Sequence, residues 1–167
     1  LPQKGDIFKN PRLAATYEKI ATGGRDAFYK GDNAKAMVKA VQQSKIAPGK
    51  LSEQDLANYS SKERAPVCIK YRVYNVCSMA PPSSGGISVL QILGLLEHKN
   101  MANIKANSAD AIHYFSQASR IAFADRNKYI GDPDFTQVPT QELLNKDYIA
   151  TRAKLITEKD QKALPGN

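Results

Sequence analysis

One stretch of the chain has the composition of β-strands, and it lies between segments with helical patterns. Residues 66–79, PVCIKYRVYNVCSM, are rich in β-branched and aromatic residues and contain no glycine or proline after the first position. We interpret this stretch as a β-hairpin. The sequence therefore predicts an α+β fold, mainly helical, with one hairpin.

The hairpin contains both cysteines of the chain. A turn centred between Arg72 and Val73 places Cys68 directly opposite Cys77. Two interpretations remain open: two small buried thiols, or a cross-strand disulfide in an exported protein. Two cysteines are too few for a disulfide framework or a four-cysteine zinc site.

Helical patterns lie on both sides of the hairpin. Asn10 and Pro11 are typical of a helix start, and Gly23-Gly24 should end that helix. Ser52 and Asp55 have the spacing of a capping box. The predicted helices are residues 10–22, one more turn in RDAFYKG that Gly31 ends, a second helix from Asp32, a short third from Ser52, one after the hairpin, the longest from Asn107 or Ser108 to Tyr129, and a last one from Asn145 or Lys146 to about Ile156.

Length and charge limit the classes of protein. With 167 residues we expect a single domain over residues 1–167, in which the polar residues 157–167 form an exposed linker. The formal net charge of +8 is spread along the chain without a run of like charges, so no nucleic-acid partner is predicted. No apolar stretch is long enough to predict a membrane span.

Ser83 and Ser84, in MAPPSSGGISVLQILGLLE, are candidates for a nucleophile. A serine nucleophile needs a base and usually a Gly-x-Ser-x-Gly elbow, which is absent here. His98 and His113 are the only imidazole bases, and both lie in helical patterns. The sequence does not favour a Ser–His triad.

The same run is better explained as the start of a helix. Pro81-Pro82 should end the preceding strand, and Ser83 or Ser84 should cap the first helical N–H groups. Gly85-Gly86 would let another backbone approach the first turn closely. An anion at this helix start is a minor alternative.

GDPDF contains two aspartates, with a third at the end of the preceding helix. Asp132, Asp134 and Asp125 would be acceptable oxygen ligands for a hard cation. Turn and cap roles are commoner for aspartates in such a loop, so no metal site is predicted.

Four segments, in this order and spacing, resemble the C-terminal half of the large subunit of γ-glutamyltranspeptidases. They are LAATYEKIATGGRDAFYKG, LSEQDLANY, YRVYNVCSMAPPSSGGISVLQILGLLE and AFADRNKYIGDPDFTQVP. The most specific residues of the resemblance are Pro81, Pro82, Ser83, Ser84, Gly85, Gly86, Asp125, Arg126, Gly131, Asp132, Pro133 and Asp134. One departure is Val73, where family members commonly have glycine.

The resemblance implies part of a four-layer αββα N-terminal nucleophile hydrolase. Such a precursor cleaves itself, and the new N-terminal threonine of the small catalytic subunit attacks γ-glutamyl compounds such as glutathione. No catalytic or substrate-binding residue of the family maps onto this chain, and no cofactor is expected. The implied partner is the small subunit, and the implied location is periplasmic or secreted.

Two alternatives to this function remain. A related acylase, acting on cephalosporins or polyglutamate, would share the architecture. In the other, the chain is a non-enzymatic binding module that uses its basic surface.

Overall fold

The computed structural model describes residues 2–167, which form seven α-helices and one two-stranded antiparallel sheet. The helices are α1 Pro11–Tyr29, α2 Gly31–Gln42, α3 Glu53–Asn58, α4 Gly85–Glu97, α5 Ala109–Tyr129, α6 Thr140–Leu143 and α7 Lys146–Ala153. The strands are β1 Val67–Tyr71 and β2 Tyr74–Ser78. A mainly helical fold with one hairpin is therefore confirmed.

The chain folds into two compact units, where the sequence predicted one domain. The first extends to Lys62 and the second is Glu63–Asn167. Helices α1, α2 and α3 pack on one another, whereas α4 contacts the hairpin, α5, α6 and α7. The boundary falls within the polar stretch YSSKER, residues 59–64, which has no glycine or proline to mark it.

Helix α1 begins as predicted and bends where it was expected to end. The Asn10 side chain accepts a hydrogen bond from the Leu13 N–H at 3.0 Å. At Gly24 the backbone leaves the helical region, with φ 61° and ψ −153°, and helical structure then resumes to Tyr29. Glycine adopts this conformation without the steric cost of a side chain, so the predicted stop is a bend inside a longer helical segment.

The predicted capping box starts α3. Ser52 Oγ accepts from the Asp55 N–H at 3.2 Å, and Asp55 Oδ2 accepts from the Ser52 N–H at 2.9 Å. Hydrogen bonds from the Ser52 side chain and backbone lower the pKa of Asp55.

The hairpin has the register that the cysteine spacing predicted. Cys68 pairs with Cys77 across the strands, and the structure joins them in a disulfide. The left-handed backbone conformation of the turn falls on Arg72, with φ 53°, and not on Val73. The Arg72 N–H donates to Glu97 at 2.7 Å, which ties the turn to the end of α4.

Helix α4 is the centre of the second unit. Its residues Ile87 and Leu90 are fully buried, and α5 and α7 pack against the helix. The main apolar cluster consists of Leu95, Leu96, Ala118, Ile121, Ile149, Ala153 and Ile156. None of the described helices is both long and apolar enough to cross a membrane.

The caps of α5 and α7 are those expected from the sequence. Ser108 accepts from the Ala111 N–H at 3.2 Å, and the Asn145 side chain accepts from two N–H groups of the first turn of α7. Helix α7 ends at Ala153, three residues before the predicted end, although Ile156 is still buried.

Candidate functional site

The PPSSGG run connects β2 to α4 and permits a close backbone approach. The Pro81–Pro82 peptide bond is cis, and α4 begins at Gly85. A Cβ built on Gly86 would lie 1.9 Å from the Met79 carbonyl oxygen, whereas one on Gly85 would meet only Ser83 Oγ, at 3.8 Å. Gly86 is thus the glycine that the close approach requires.

The prediction that a serine side chain caps α4 is wrong. Ser84 is the N-cap residue by position, but its side chain makes no capping hydrogen bond. Its backbone is in the right-handed helical region, φ −77° and ψ −18°, whereas a capping residue usually has extended dihedrals. Ser84 Oγ instead accepts from Arg126 Nε at 3.1 Å, so two separate motif segments meet.

Asp125 lies on α5, and its carboxylate is the centre of a buried polar cluster. The residue is only 1% exposed. Its oxygens accept from the Tyr148 hydroxyl at 2.8 Å, the Gly166 N–H at 2.9 Å, Arg152 Nη2 at 3.1 Å and Gln91 Nε2 at 3.2 Å. We call these five residues the Asp125 cluster. A buried carboxylate needs such donors, because burial without them is costly.

The cluster connects α4, α5 and α7 to the end of the chain. Arg152 is buried and forms an ion pair with Asp125. Burial, followed by the hydrogen bond to Asp125, raises the pKa of Tyr148, so its hydroxyl stays protonated as a donor. Gln91 Oε1 and Arg152 Nε are buried without partners among the described residues, so this part of the chain does not satisfy the whole cluster.

The prediction of an exposed linker over residues 157–167 is wrong for its last part. Residues 158–162 are exposed, but three of residues 163–166 are partly buried. We call Ala163–Gly166 the C-terminal strap. The Leu164 carbonyl accepts from Arg152, and the Gly166 carbonyl accepts from the Tyr129 hydroxyl. These contacts, with the Gly166–Asp125 bond, hold the strap against α5 and α7.

The aspartates of GDPDF do not join Asp125. Asp132 and Asp134 lie in the loop after α5, with Arg64 Nη2 at 3.8 Å and 2.9 Å respectively. Asp132 also accepts from the Asp134 N–H at 3.0 Å, as in an Asx-turn. Between these aspartates Pro133 continues the turn. Before them, Gly131 lies against Thr136, whose methyl group would be 2.8 Å from an added Cβ.

Residues 2–167 contain no cluster of three metal-ligating side chains. Neither histidine forms a hydrogen bond to a serine or threonine hydroxyl within that range. His113 contacts the Thr157 carbonyl and the Gln117 side chain. His98 ends α4 and lines a cavity of about 660 Å³ with Lys70, Arg72 and Asp147. Among the described residues, no serine or threonine hydroxyl is therefore hydrogen-bonded to a histidine.

Asp125 is one of the motif residues of the sequence, whereas its four partners are not. Two of these partners have a sequence feature that could have marked them. Gln91 is the one polar side chain in the middle of the apolar run ISVLQILGLL that is large enough to reach a neighbouring helix. Gly166 follows Pro165 in a tail that was expected to be free of contacts. Tyr148 and Arg152, four residues apart on α7, gave no signal that distinguishes them from surface residues.

Comparison with known proteins identifies the family. The family model for gamma-glutamyltranspeptidase matches residues 1–166. The glutathione hydrolase proenzyme of Escherichia coli (strain K12) is 44% identical over 154 residues, which are 92% of this chain and 26% of that protein. The chain thus spans about a quarter of the length of this curated relative.

Solved structures agree with the sequence comparison. γ-Glutamyltranspeptidase from Helicobacter pylori superposes with a TM-score of 0.80 at 37% identity, over 98% of this chain and 47% of that one. Cephalosporin acylase from Bacillus halodurans gives a TM-score of 0.79 at 26% identity, over 99% of this chain and 30% of that one. The predicted fold, part of an N-terminal nucleophile hydrolase, is confirmed. This chain belongs to the γ-glutamyltranspeptidase family.

Proposed function

We propose that the protein containing this chain hydrolyses γ-glutamyl compounds such as glutathione or transfers their γ-glutamyl group to amino acids or peptides. The observation that carries the proposal is the family match over residues 1–166. The TM-score of 0.80 to a γ-glutamyltranspeptidase supports it, because the match covers 98% of the chain.

In this proposal the reactive group lies outside the chain. The family resemblance implies a threonine hydroxyl, activated by its own α-amine, at the start of a small catalytic subunit. That hydroxyl attacks the γ-glutamyl carbonyl and expels the amine, which takes up the proton. Water or an acceptor amine then attacks the acyl-enzyme ester, releases the product and restores the hydroxyl.

The chain itself serves as scaffold for that subunit. The Asp125 cluster and the α4 core give it a fixed framework, and residues 2–167 bring no histidine to a serine or threonine hydroxyl. A rigid framework is what an active site built across two subunits requires, since small displacements of catalytic groups cost large factors in rate.

Expression of the full-length precursor tests this function. The purified protein should cleave itself into two subunits and release the chromophore from a γ-glutamyl anilide. The matched control is a precursor in which the first threonine of the small subunit is alanine, and this variant should neither cleave nor react. A processed, folded wild-type protein without γ-glutamyl activity would refute the proposal.

A cephalosporin acylase is the second candidate, because one such enzyme superposes almost as well, with a TM-score of 0.79. Its sequence identity is lower, 26% against 37% for the transpeptidase structure. The same processed protein should therefore be assayed with an amide-linked cephalosporin. We expect a higher kcat/KM for the γ-glutamyl substrate, and the reverse order would favour the acylase.

We also propose a periplasmic or secreted location. The Cys68–Cys77 disulfide supports this location, because structural disulfides persist mainly in oxidising compartments. Fractionation of the source cells with an antibody against the chain tests it, and recovery only from the cytoplasm would refute it.

A further inference from the structure

The C-terminal strap is held by several polar contacts in addition to its partial burial. One strap donor, the Gly166 N–H, bonds to the Asp125 carboxylate at 2.9 Å. Two strap carbonyls, those of Leu164 and Gly166, accept from Arg152 and Tyr129. All three contacts use backbone groups of the strap. They therefore fix the path of the strap backbone directly.

Gly166 fits this place because it has no side chain. A Cβ at Gly166 would lie 2.2 Å from the Tyr148 hydroxyl oxygen and 2.8 Å from two ring carbons. The ring has little freedom to move away, since its hydroxyl is bonded to buried Asp125 at 2.8 Å. Any side chain at residue 166 must therefore lift the strap or break the cluster.

The Asp125 carboxylate bonds both to the strap and to the helices of the second unit. One oxygen accepts from both Arg152 and Gly166, and the other accepts from Tyr148 and Gln91. Three of these donors come from α4 and α7, which are already packed in the core. The fourth comes from the strap, so the carboxylate attaches the strap to the helical framework.

We propose that Asp125 is a positioning residue for cleavage of the precursor: through Gly166 it fixes where the chain leaves the scaffold toward the cleaved bond. This inference rests on the proposed function, in which the small subunit begins beyond Asn167. Cleavage of that peptide bond consumes one water molecule and leaves a carboxylate on one subunit and a free α-amine on the threonine. The attacking threonine hydroxyl needs a fixed position relative to the carbonyl carbon of the cleaved bond. If the strap is loose, that position is lost.

The first measurement is hydrogen exchange of the folded full-length protein. Hydrogen exchange of the Gly166 amide should be slow in the wild-type protein. In the Asp125→Ala variant exchange should be about tenfold or more faster, as expected for the loss of a hydrogen bond to a charged acceptor. Amides of α1 to α3 should be unchanged. Equal exchange at Gly166 in folded wild-type and variant proteins would overturn the inference.

The second measurement uses the full-length precursor. Gly166→Ala removes no side chain of the cluster but forces the strap and Tyr148 apart, and it should slow self-cleavage by roughly tenfold to a hundredfold, the cost of about 1 Å of misplacement. Gly85→Ala is the matched control, since its Cβ would meet only Ser83 Oγ at 3.8 Å, and it should cleave at the wild-type rate. Thermal melting must show that each variant is folded at the assay temperature.

The outcomes separate the two proposals. Slow cleavage of Gly166→Ala, with γ-glutamyl turnover per mole of cleaved enzyme within about twofold of wild type, supports positioning. If the wild type cleaves and both glycine variants cleave equally fast, the inference about Asp125 is overturned and the proposed function stands. If the folded wild-type precursor never cleaves, the proposed function fails and the inference fails with it.

Discussion

At the scale of single residues, burial separates the aspartates of the motif segments. Asp125 is 1% exposed and bonded to four donors, whereas the Asp132 side chain is 39% exposed and lies 3.8 Å from Arg64. The sequence gives both residues the same carboxylate. Their surroundings decide that one organises the core and the other forms part of a surface turn.

Asp125→Ala should lower the free energy of unfolding of Glu63–Asn167 by about 3–5 kcal/mol, because it leaves Arg152 buried without its partner. Asp132→Ala is the control and should change that free energy by less than about 1 kcal/mol, as for other exposed ion pairs. Urea unfolding followed by circular dichroism measures both. Equal effects of the two substitutions would contradict the central place of Asp125.

The raised pKa of Tyr148 predicts how the stability of the second unit changes at alkaline pH. Burial and the hydrogen bond to Asp125 raise its pKa above the ordinary value of 10.0. The folded state therefore holds the proton more tightly than the unfolded state, and the resulting stability is complete below pH 10. It is lost as the pH rises from about 10 toward the folded-state pKa.

Ultraviolet titration at the tyrosinate band should show a late step, in which Tyr148 ionises only as the protein unfolds. Tyr148→Phe should remove that late transition. A late transition that persists in the variant would assign it to another tyrosine and contradict this account.

At the scale of elements, the contact between β2 and the start of α4 depends on one glycine. The Gly86 Cα faces the Met79 carbonyl, a backbone atom that cannot rotate away as a side chain would. A Cβ on the neighbouring Gly85 would make only an ordinary contact, 3.8 Å from Ser83 Oγ. The sequence predicted a close approach at this pair without distinguishing the two glycines, because the distinction depends on how the strand returns to the helix.

Gly86→Ala should destabilise the second unit by at least about 2–3 kcal/mol through overpacking. Gly85→Ala should be neutral or stabilising by up to about 1 kcal/mol, since alanine favours the helix. Differential scanning calorimetry of the two variants provides the comparison. A tolerated Gly86→Ala would show that β2 does not approach α4 as closely as described.

The structure of the hairpin predicts that its two cysteines are oxidised to a disulfide. Because Cys68 and Cys77 are bonded in the structure, denatured and unreduced protein should contain no thiol that reacts with a chromogenic disulfide reagent. The same protein after reduction should contain two. Two reactive thiols before reduction would show that the opposed cysteines are unpaired.

Local chemistry explains which elements the sequence predicted well. The capping box of Ser52 and Asp55 involves residues three apart, and the register of the hairpin follows from its own turn. Ser84 was predicted to cap α4, but its hydroxyl bonds to Arg126, 42 residues away. Sequence patterns reflect contacts between residues that are close in the chain. They therefore do not show that Arg126, on another helix, binds the Ser84 hydroxyl.

At the scale of the whole molecule, the features that the sequence did not predict depend on contacts between residues far apart in the chain. The strap was expected to be an exposed linker because it is short, contains proline and glycine, and follows a polar stretch. It is held by Asp125, Arg152 and Tyr129, which lie between 12 and 41 residues earlier in the chain. Likewise, the division into two units follows from packing that the composition of residues 59–64 does not mark.

The chain spans about a quarter of the length of the glutathione hydrolase proenzyme of Escherichia coli that it matches. The alternative of an independent binding module with a basic surface loses support, since the family match runs along nearly the entire chain. The charge of +8 is then a property of one piece of a larger protein, and it indicates no nucleic-acid function by itself.

The most direct test of this account compares the chain with its parent in one assay. Release of chromophore from a γ-glutamyl anilide is measured for equal molar amounts of this chain and of the self-cleaved full-length protein. We predict steady turnover by the cleaved parent and a rate for the chain alone that equals the buffer blank. Turnover by the isolated chain would contradict the assignment of the nucleophile to a threonine outside it.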